Sequence, residues 1–387
     1  MKTFAEINER LKAGKAVVLT AEEVIPLVKE KGPEAVAREV DVVTTATFGP
    51  MCSSGVFLNF GHSDPPIRMT RVWLNDVPAY GGIAAVDAYL GATELSETRG
   101  MDYGGAHVIE DLLAGKPVRL RAVSYGTDCY PRREIETTVD LARLNQAILF
   151  NPRNAYQNYP VAVNGSGRTI YTYMGTLLPH FGNATYSTAG ELSPLLNDPF
   201  YRTIGVGTRI FLGGAVGYVA WEGTQHNPAQ NRAENGVPVS LAGTLALIGN
   251  LKEMNRRYLR AAIFDRYGVS IYVGIGVPIP ILDEEMAAFV GVSNAEIRTT
   301  IVDYGVPRRA RPTYGQVTYA ELRSGEIELK GRKVPTAPLS SLAMAREIAR
   351  ILKEWLQSGR FLLQEPIRPL PLEGRMNPLE EEEGVYV

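Results

Sequence analysis

The sequence predicts an α/β or α+β fold: one large domain of mixed sheets, joined by glycine-rich loops and ending in a capped C-terminal helix. Three observations carry this. Helical and strand patterns are interspersed without regular alternation, which disfavours a doubly wound parallel sheet. Residues 151–280 are rich in glycine, asparagine and tyrosine, as turns and close backbone approaches require. A single long apolar stripe at helical spacing lies near the C terminus. Residues 1–365 are read as one domain and 366–387 as a proline-rich, then acidic, tail.

In chain order, Phe4, Ile7 and Leu11 share one helical face that Gly14 should stop, and Ala16–Thr20 reads as a short strand. Thr20 should cap a helix over Ala21–Glu30, with Gly32-Pro33 beyond its end. Val40–Phe48 is apolar and β-branched enough to be a buried strand. It runs into Gly49-Pro50-Met51-Cys52, which puts Cys52 on a tight turn. Val118–Tyr125 alternates like a half-buried strand and leads into Gly126–Arg133, so Cys129 also lies on a strand-to-loop turn, where Pro131 forbids an ordinary ladder. Gly268–Ile281 reads as a strand. Ser340 or Ser341 should start the last helix, with Met344, Ile348, Ile351, Leu352 and Trp355 as its stripe and Gly359 as its stop. From Phe361 the chain should pack as a surface arm and end in a solvated acidic run, Glu380–Glu383.

Composition excludes several functions. The 387 residues carry 40 Lys and Arg against 42 Asp and Glu, a balance unsuited to coating nucleic acid or an anionic membrane. No apolar run approaches the roughly 18 residues that span a bilayer. The charged start lacks the apolar core of a signal peptide, so a soluble, cytoplasmic protein is expected. Two cysteines cannot supply the ligands of an iron–sulfur cluster or a Cys-rich zinc site, and they are too far apart for CxxC chemistry. The four histidines form no close pair, so no metal site is argued.

The nucleotide fingerprints fail in detail. Gly165-Ser166-Gly167, Gly205-Val206-Gly207 and Gly274-Ile275-Gly276 each have isoleucine where the third glycine of G-x-G-x-x-G belongs. There is no phosphate-loop motif and no G-x-S-x-G elbow. The cysteine turns are the best chemical signal, because a thiolate is a nucleophile that nearby cations favour. Cys129 has Arg132 and Arg133 close behind; Cys52 has His62 ten residues on and Arg68 and Arg71 beyond. The plainer reading is a pair of buried thiols. Among the histidines, His62 in its Gly/Pro loop is the stronger site candidate, His226 and His107 serve equally well as site or loop residues, and His180 is structural. Arg308, Arg309 and Arg311 read as a solvated face or as a dock for an acidic partner.

The stretches TTATFGPMCSSG, SYGTDCYPRREIET, NPRNAYQNYPVAVNGSGRTIYTYMG and GGAVGYVAWEGTQHNP resemble the homocysteine biosynthesis protein family, over roughly residues 5 to 365. The resemblance implies sulfur transfer to L-aspartate semialdehyde: aldehyde, a sulfide source and reducing equivalents would give homocysteine, through a persulfide on Cys129, with Cys52 as the first family cysteine. It implies no cofactor bound by this chain alone and electrons from a ferredoxin-like partner holding [4Fe–4S] clusters. Some relatives carry C-terminal CBS domains, and this chain shows a short acidic tail there instead. Residue chemistry adds His62, His107 or His226 as general acid, and Arg71, Arg132 and Arg168 (with His107) as substrate contacts. A small-molecule aldehyde and a sulfide donor are then the ligands, with neither nucleic acid nor membrane as partner; a homodimer is allowed. The competing readings are another cysteine nucleophile acting on an acyl or aldehyde substrate, and a non-catalytic ligand-binding protein with buried thiols.

Overall fold

The computed structural model describes residues 1–374 and 376–380. It is a mixed α and β fold, as the patterning predicts. The largest sheet has ten strands. In spatial order they are Val18–Thr20, Val42–Pro50, Gly268–Pro280, Arg209–Leu212, Ala215–Glu222, Leu245–Asn250, Gln146–Asn154, Gly55–Asn59 and Asp87–Gly91, with Leu259–Phe264 pairing onto Gly268–Pro280. Only its first pair is parallel.

This order forces a curved sheet. Val42–Pro50 and Gly55–Asn59 are six strand spacings apart along it, about 29 Å if the sheet were flat. Residues 51–54 alone join them, and such a link reaches at most about 18 Å. The sheet therefore curls round until those strands approach, and the Cys52 turn bridges the gap.

The 13-residue Gly268–Pro280 strand is buried almost throughout because helices cover it. The last helix, Leu342–Gln357, lies against this strand and Val42–Pro50. Ser341 caps it, and Ala345, Ile348, Ala349, Leu352 and Leu356 form its buried face. Gly276 permits the close approach: a Cβ there would stand 3.0 Å from Ile348 Cγ2. Helix Gly105–Leu113 packs against Leu259–Phe264 and the same long strand.

Besides three two-stranded ribbons among the described residues, two smaller sheets complete the fold. One is an antiparallel group of Glu134–Val139, Val118–Val123, Arg71–Leu74 and Val77–Ala79. The other is a mixed six-stranded sheet, in order Thr313–Thr318, Arg298–Asp303, Val161–Val163, Ala184–Tyr186, Arg332–Pro338 and Glu326–Leu329, with its own apolar core around Val161, Tyr319 and Val334.

Two expectations change in detail. Gly32-Pro33 does lie beyond the helix end, with Gly32, at φ 80°, closing Ala21–Lys31, but Pro33 opens a further helix, Pro33–Glu39, that the patterning does not anticipate. A first-turn proline lacks only an N–H that would be unpaired anyway. The first strand shortens to Val18–Thr20. The arm after Phe361 does pack: Phe361, Leu363 and Leu370 are buried, and Arg368–Pro369 pairs with Gly205–Val206. Apart from Glu380, the acidic run lies outside the described residues. No described helix is long and apolar enough to cross a membrane.

Candidate active site

Cys52 leaves the Val42–Pro50 strand but keeps its register. Pro50 faces Tyr272 in the antiparallel ladder and the Met51 N–H still bonds Ile271 O at 2.7 Å, so Cys52 comes opposite Ser270. Its Sγ is 3.2 Å from Ser270 Oγ. The next residue, Ser53, donates to Asn151 Oδ1 and to the carbonyl of Arg153, each at 3.2 Å. Buried Asn151 in turn donates to Ser54 Oγ. The turn is thus pinned to the end of the Gln146–Asn154 strand.

Beside it opens a cavity of about 390 Å³ between the large and the six-stranded sheets. Cys52, Ser53, Arg153, Tyr156, Tyr159, Tyr173, Gln225, Tyr267 and Arg309 bring chemistry to its wall, and no acidic side chain among the described residues lines it. Tyr173 links the phenols. Its hydroxyl is 3.1 Å from that of Tyr304, and its ring meets Tyr159 at 6.4 Å and Tyr267 at 6.2 Å. The Arg311 guanidinium caps Tyr304, 4.1 Å from its ring centre.

Burial sets the protonation states. It pushes the Cys52 thiol up, and the bond with Ser270 pulls it only partly back. Tyr267 is pushed up to about 12 by burial, with Cys52 and Tyr173 adding to the effect. Tyr159 and Tyr304 rise further above the ordinary phenol, through burial first and then through a neighbouring phenol, Tyr304 beside Tyr159 and Tyr173 beside Tyr304. Tyr156 rises by burial, against the pull of Arg153. The cavity wall therefore holds neutral phenols, donors suited to a developing oxyanion, beside two permanent positive charges.

Cys129 is placed quite differently. It stands at the tip of a hairpin between Val118–Val123 and Glu134–Val139 and is exposed. Thr127 and Tyr130 close the tip with reciprocal backbone bonds of 2.9 and 3.1 Å. The nearest side-chain partner of its Sγ is Thr127 Oγ1, at 3.5 Å. His62 stacks on Tyr130 with centroids 6.0 Å apart, and Arg132 N–H bonds Pro66 O at 3.3 Å. Arg71 lies on the neighbouring strand opposite Val123. Cys129, His62, Arg71 and Arg132 thus form one exposed neighbourhood.

Cys52 and Cys129 do not share a site. The Gly55–Asn59 strand begins just after Cys52 and ends just before His62, which packs on the Cys129 side, and Cys129 does not line the Cys52 cavity. Both thiols are free.

The remaining sequence candidates lie elsewhere. His226 is held in the fold: Thr244 N–H donates to Nδ1 at 3.1 Å, leaving Nε2 to donate to Pro371 O at 3.0 Å. Its neighbour Gln225, not His226, lines the cavity. His107 accepts from Gly104 N–H at 3.1 Å, stacks on Tyr103 and is lowered by burial. Arg168 is exposed on the loop after Val163. None of the four histidines, nor Arg71, Arg132 or Arg168, lines the Cys52 cavity; its titratable and cationic lining among the described residues is Cys52, tyrosines, Arg153 and Arg309. Arg309, read as part of an acidic-partner dock, lines that cavity. Arg153, Tyr156, Tyr159 and Tyr173 all lie in the Asn/Tyr-rich stretch whose composition was the available signal.

The sequence profile described as homocysteine biosynthesis enzyme, sulfur-incorporation, matches residues 16–363. An L-aspartate semialdehyde sulfurtransferase of Methanosarcina acetivorans is 55% identical over 384 residues, 99% of this chain and 75% of that protein. Another of the same description, from Methanocaldococcus jannaschii, is 52% identical over 385 residues, 96% of this chain and 73% of that protein. An uncharacterized protein of Methanothermobacter thermautotrophicus is 31% identical over 333 residues, 84% of this chain. No solved structure matches the chain. The two cysteine neighbourhoods therefore sit in a chain that belongs to the homocysteine biosynthesis enzyme, sulfur-incorporation family.

Proposed function

We propose that this chain is an L-aspartate semialdehyde sulfurtransferase that forms the carbon–sulfur bond of homocysteine in the Cys52 cavity. The observation that carries this reading is the cavity itself: a half-buried thiol faced by neutral phenols and two guanidinium groups, with no acid among the described residues of its lining. An aldehyde carbon is electrophilic, and attack by sulfur places a negative charge on its oxygen. Phenols such as Tyr267 or Tyr173 can donate to that oxygen and then assist its loss as water. This takes over the acid role first sought among the histidines.

Cys129, exposed at its hairpin tip, is the thiol that an external sulfane donor (a persulfide or polysulfide) reaches; its thiolate takes the donor's outer sulfur, the donor leaves as a thiol, and we assign Cys129 the resulting persulfide. Transfer onward requires the tip to meet the cavity mouth, an arrangement that differs from the resting geometry of one chain. The electron count follows from the oxidation level of the sulfur. A persulfide gives Cys–S–SH + RCHO + 4e⁻ + 4H⁺ → Cys–SH + RCH₂SH + H₂O, whereas sulfide used directly gives RCHO + H₂S + 2e⁻ + 2H⁺ → RCH₂SH + H₂O. The electrons are assigned to a separate [4Fe–4S] protein, because two cysteines cannot bind such a cluster.

The test combines labelled sulfur with electron counting. Mass spectrometry after loading should find the added sulfur on Cys129 and not in Cys129→Ser. Product formation should then consume electrons in the persulfide ratio. Consumption in the sulfide ratio, with no sulfur on either cysteine, would remove the persulfide step and leave only addition to the aldehyde.

A further inference from the structure

We propose that Arg153 and Arg309 form the clamp that selects a carboxylate-bearing aldehyde in the Cys52 cavity; the proposal rests on the sulfur-transfer reading of that cavity. The two guanidinium groups reach the same cavity from different parts of the fold. Arg153 comes from the end of the Gln146–Asn154 strand and Arg309 from the loop between Arg298–Asp303 and Thr313–Thr318.

Arg153 is prepared for this. Its Nε donates to Thr224 Oγ1 at 3.0 Å, which fixes the guanidinium plane beside Tyr156 at the cavity wall. Its carbonyl accepts from Ser53 Oγ, so its main chain is tied to the residue beside the Cys52 thiol. Arg309 is exposed and adds a second charge from the opposite sheet. Among the described residues of the lining there is no carboxylate to neutralise either, so the site carries two positive charges awaiting an anion. A planar carboxylate matches that need, since an arginine fork bonds both its oxygens. A short aldehyde whose carboxylate is held there can lay its carbonyl toward Cys52 and the phenols.

The test uses the full chain with Arg153→Gln, Arg309→Gln and Arg153→Lys. With L-aspartate semialdehyde, each glutamine variant should raise KM roughly 10–100-fold with a smaller change in kcat, and the lysine variant should recover part of the loss. A second readout needs no turnover. L-2-Aminobutyrate, which keeps the carboxylate and lacks the aldehyde, should protect Cys52 from alkylation in the wild type, propylamine should not, and protection should vanish in Arg153→Gln. Arg309 is exposed, so Arg309→Gln should fold even if Arg153→Gln does not. Unchanged KM and unchanged protection in both glutamine variants would overturn the clamp while leaving sulfur transfer standing. Carboxylate-dependent protection that the variants lose, in a wild type that turns over no aldehyde, would support the clamp and overturn the sulfur-transfer reading.

Discussion

The two thiols of this chain live in opposite settings. Cys52 is half-buried where a strand leaves a curled sheet, with a serine opposite it, phenols around it and guanidinium groups across the cavity. Cys129 stands on a closed hairpin tip, exposed, beside a stacked His62–Tyr130 pair. The contrast shows that position on a tight turn does not decide what a cysteine can do. A turn that bridges two parts of one sheet encloses space, whereas a turn that ends a ladder projects into water. The first suits an electrophile that must be desolvated and oriented, and the second suits exchange with a sulfur donor outside the chain.

The largest effect should come from breaking each side separately. Cys52→Ser should cut product formation by about 1,000-fold or more while Cys129 still accepts labelled sulfur. Cys129→Ser should lose the labelled sulfur and leave the protection of Cys52 by L-2-aminobutyrate intact. Full turnover in Cys52→Ser would show that the carbon–sulfur bond forms outside the cavity.

An intermediate effect should separate the phenols of the two regions. Tyr267→Phe removes a neutral donor from the cavity wall and should lower kcat roughly 100-fold, the scale of losing one oxyanion donor. Tyr130→Phe keeps the ring that stacks on His62 and should change kcat by less than about 3-fold. Steady-state rates at saturating aldehyde measure both. Equal losses would place the acid outside the cavity.

The elements were legible wherever local signals agreed. Thr20 caps its helix, Ser341 starts the last one, and Ile348, Leu352 and Trp355 lie on its stripe because spacing and caps act over a few residues. The two cysteine turns were legible for the same reason. The cavity was not, because it depends on partners distant in sequence: Ser270 reaches Cys52 across 218 positions, and Arg153 meets Ser53 across 100. His62 fell close to Cys52 in sequence yet belongs to the Cys129 side, since an intervening strand carries the chain away in a straight line. His226 sits beside a cavity residue, but its ring is turned to backbone partners that no local pattern announces. The curl that creates the site is a property of strand order, and strand order is set by pairings far apart along the chain.

The smallest effect concerns the one side chain that tunes Cys52 without touching Cys129. Burial favours the neutral thiol, and the Ser270 hydroxyl favours the thiolate. Ser270→Ala should therefore move the alkylation profile of Cys52 to still higher pH and leave that of Cys129 in place. The same shift has a stability sign. A buried thiol that keeps its proton after the unfolded chain has released its own makes the unfolded state bind fewer protons, so stability falls as pH rises past the ordinary thiol value of about 8.5. Ser270→Ala should steepen that alkaline fall, and Cys52→Ser should remove its share. Unfolding by denaturant at neutral and alkaline pH measures both. An alkylation profile that moved to lower pH in Ser270→Ala would mean that the serine donates nothing to the sulfur and serves only to fill the space beside it.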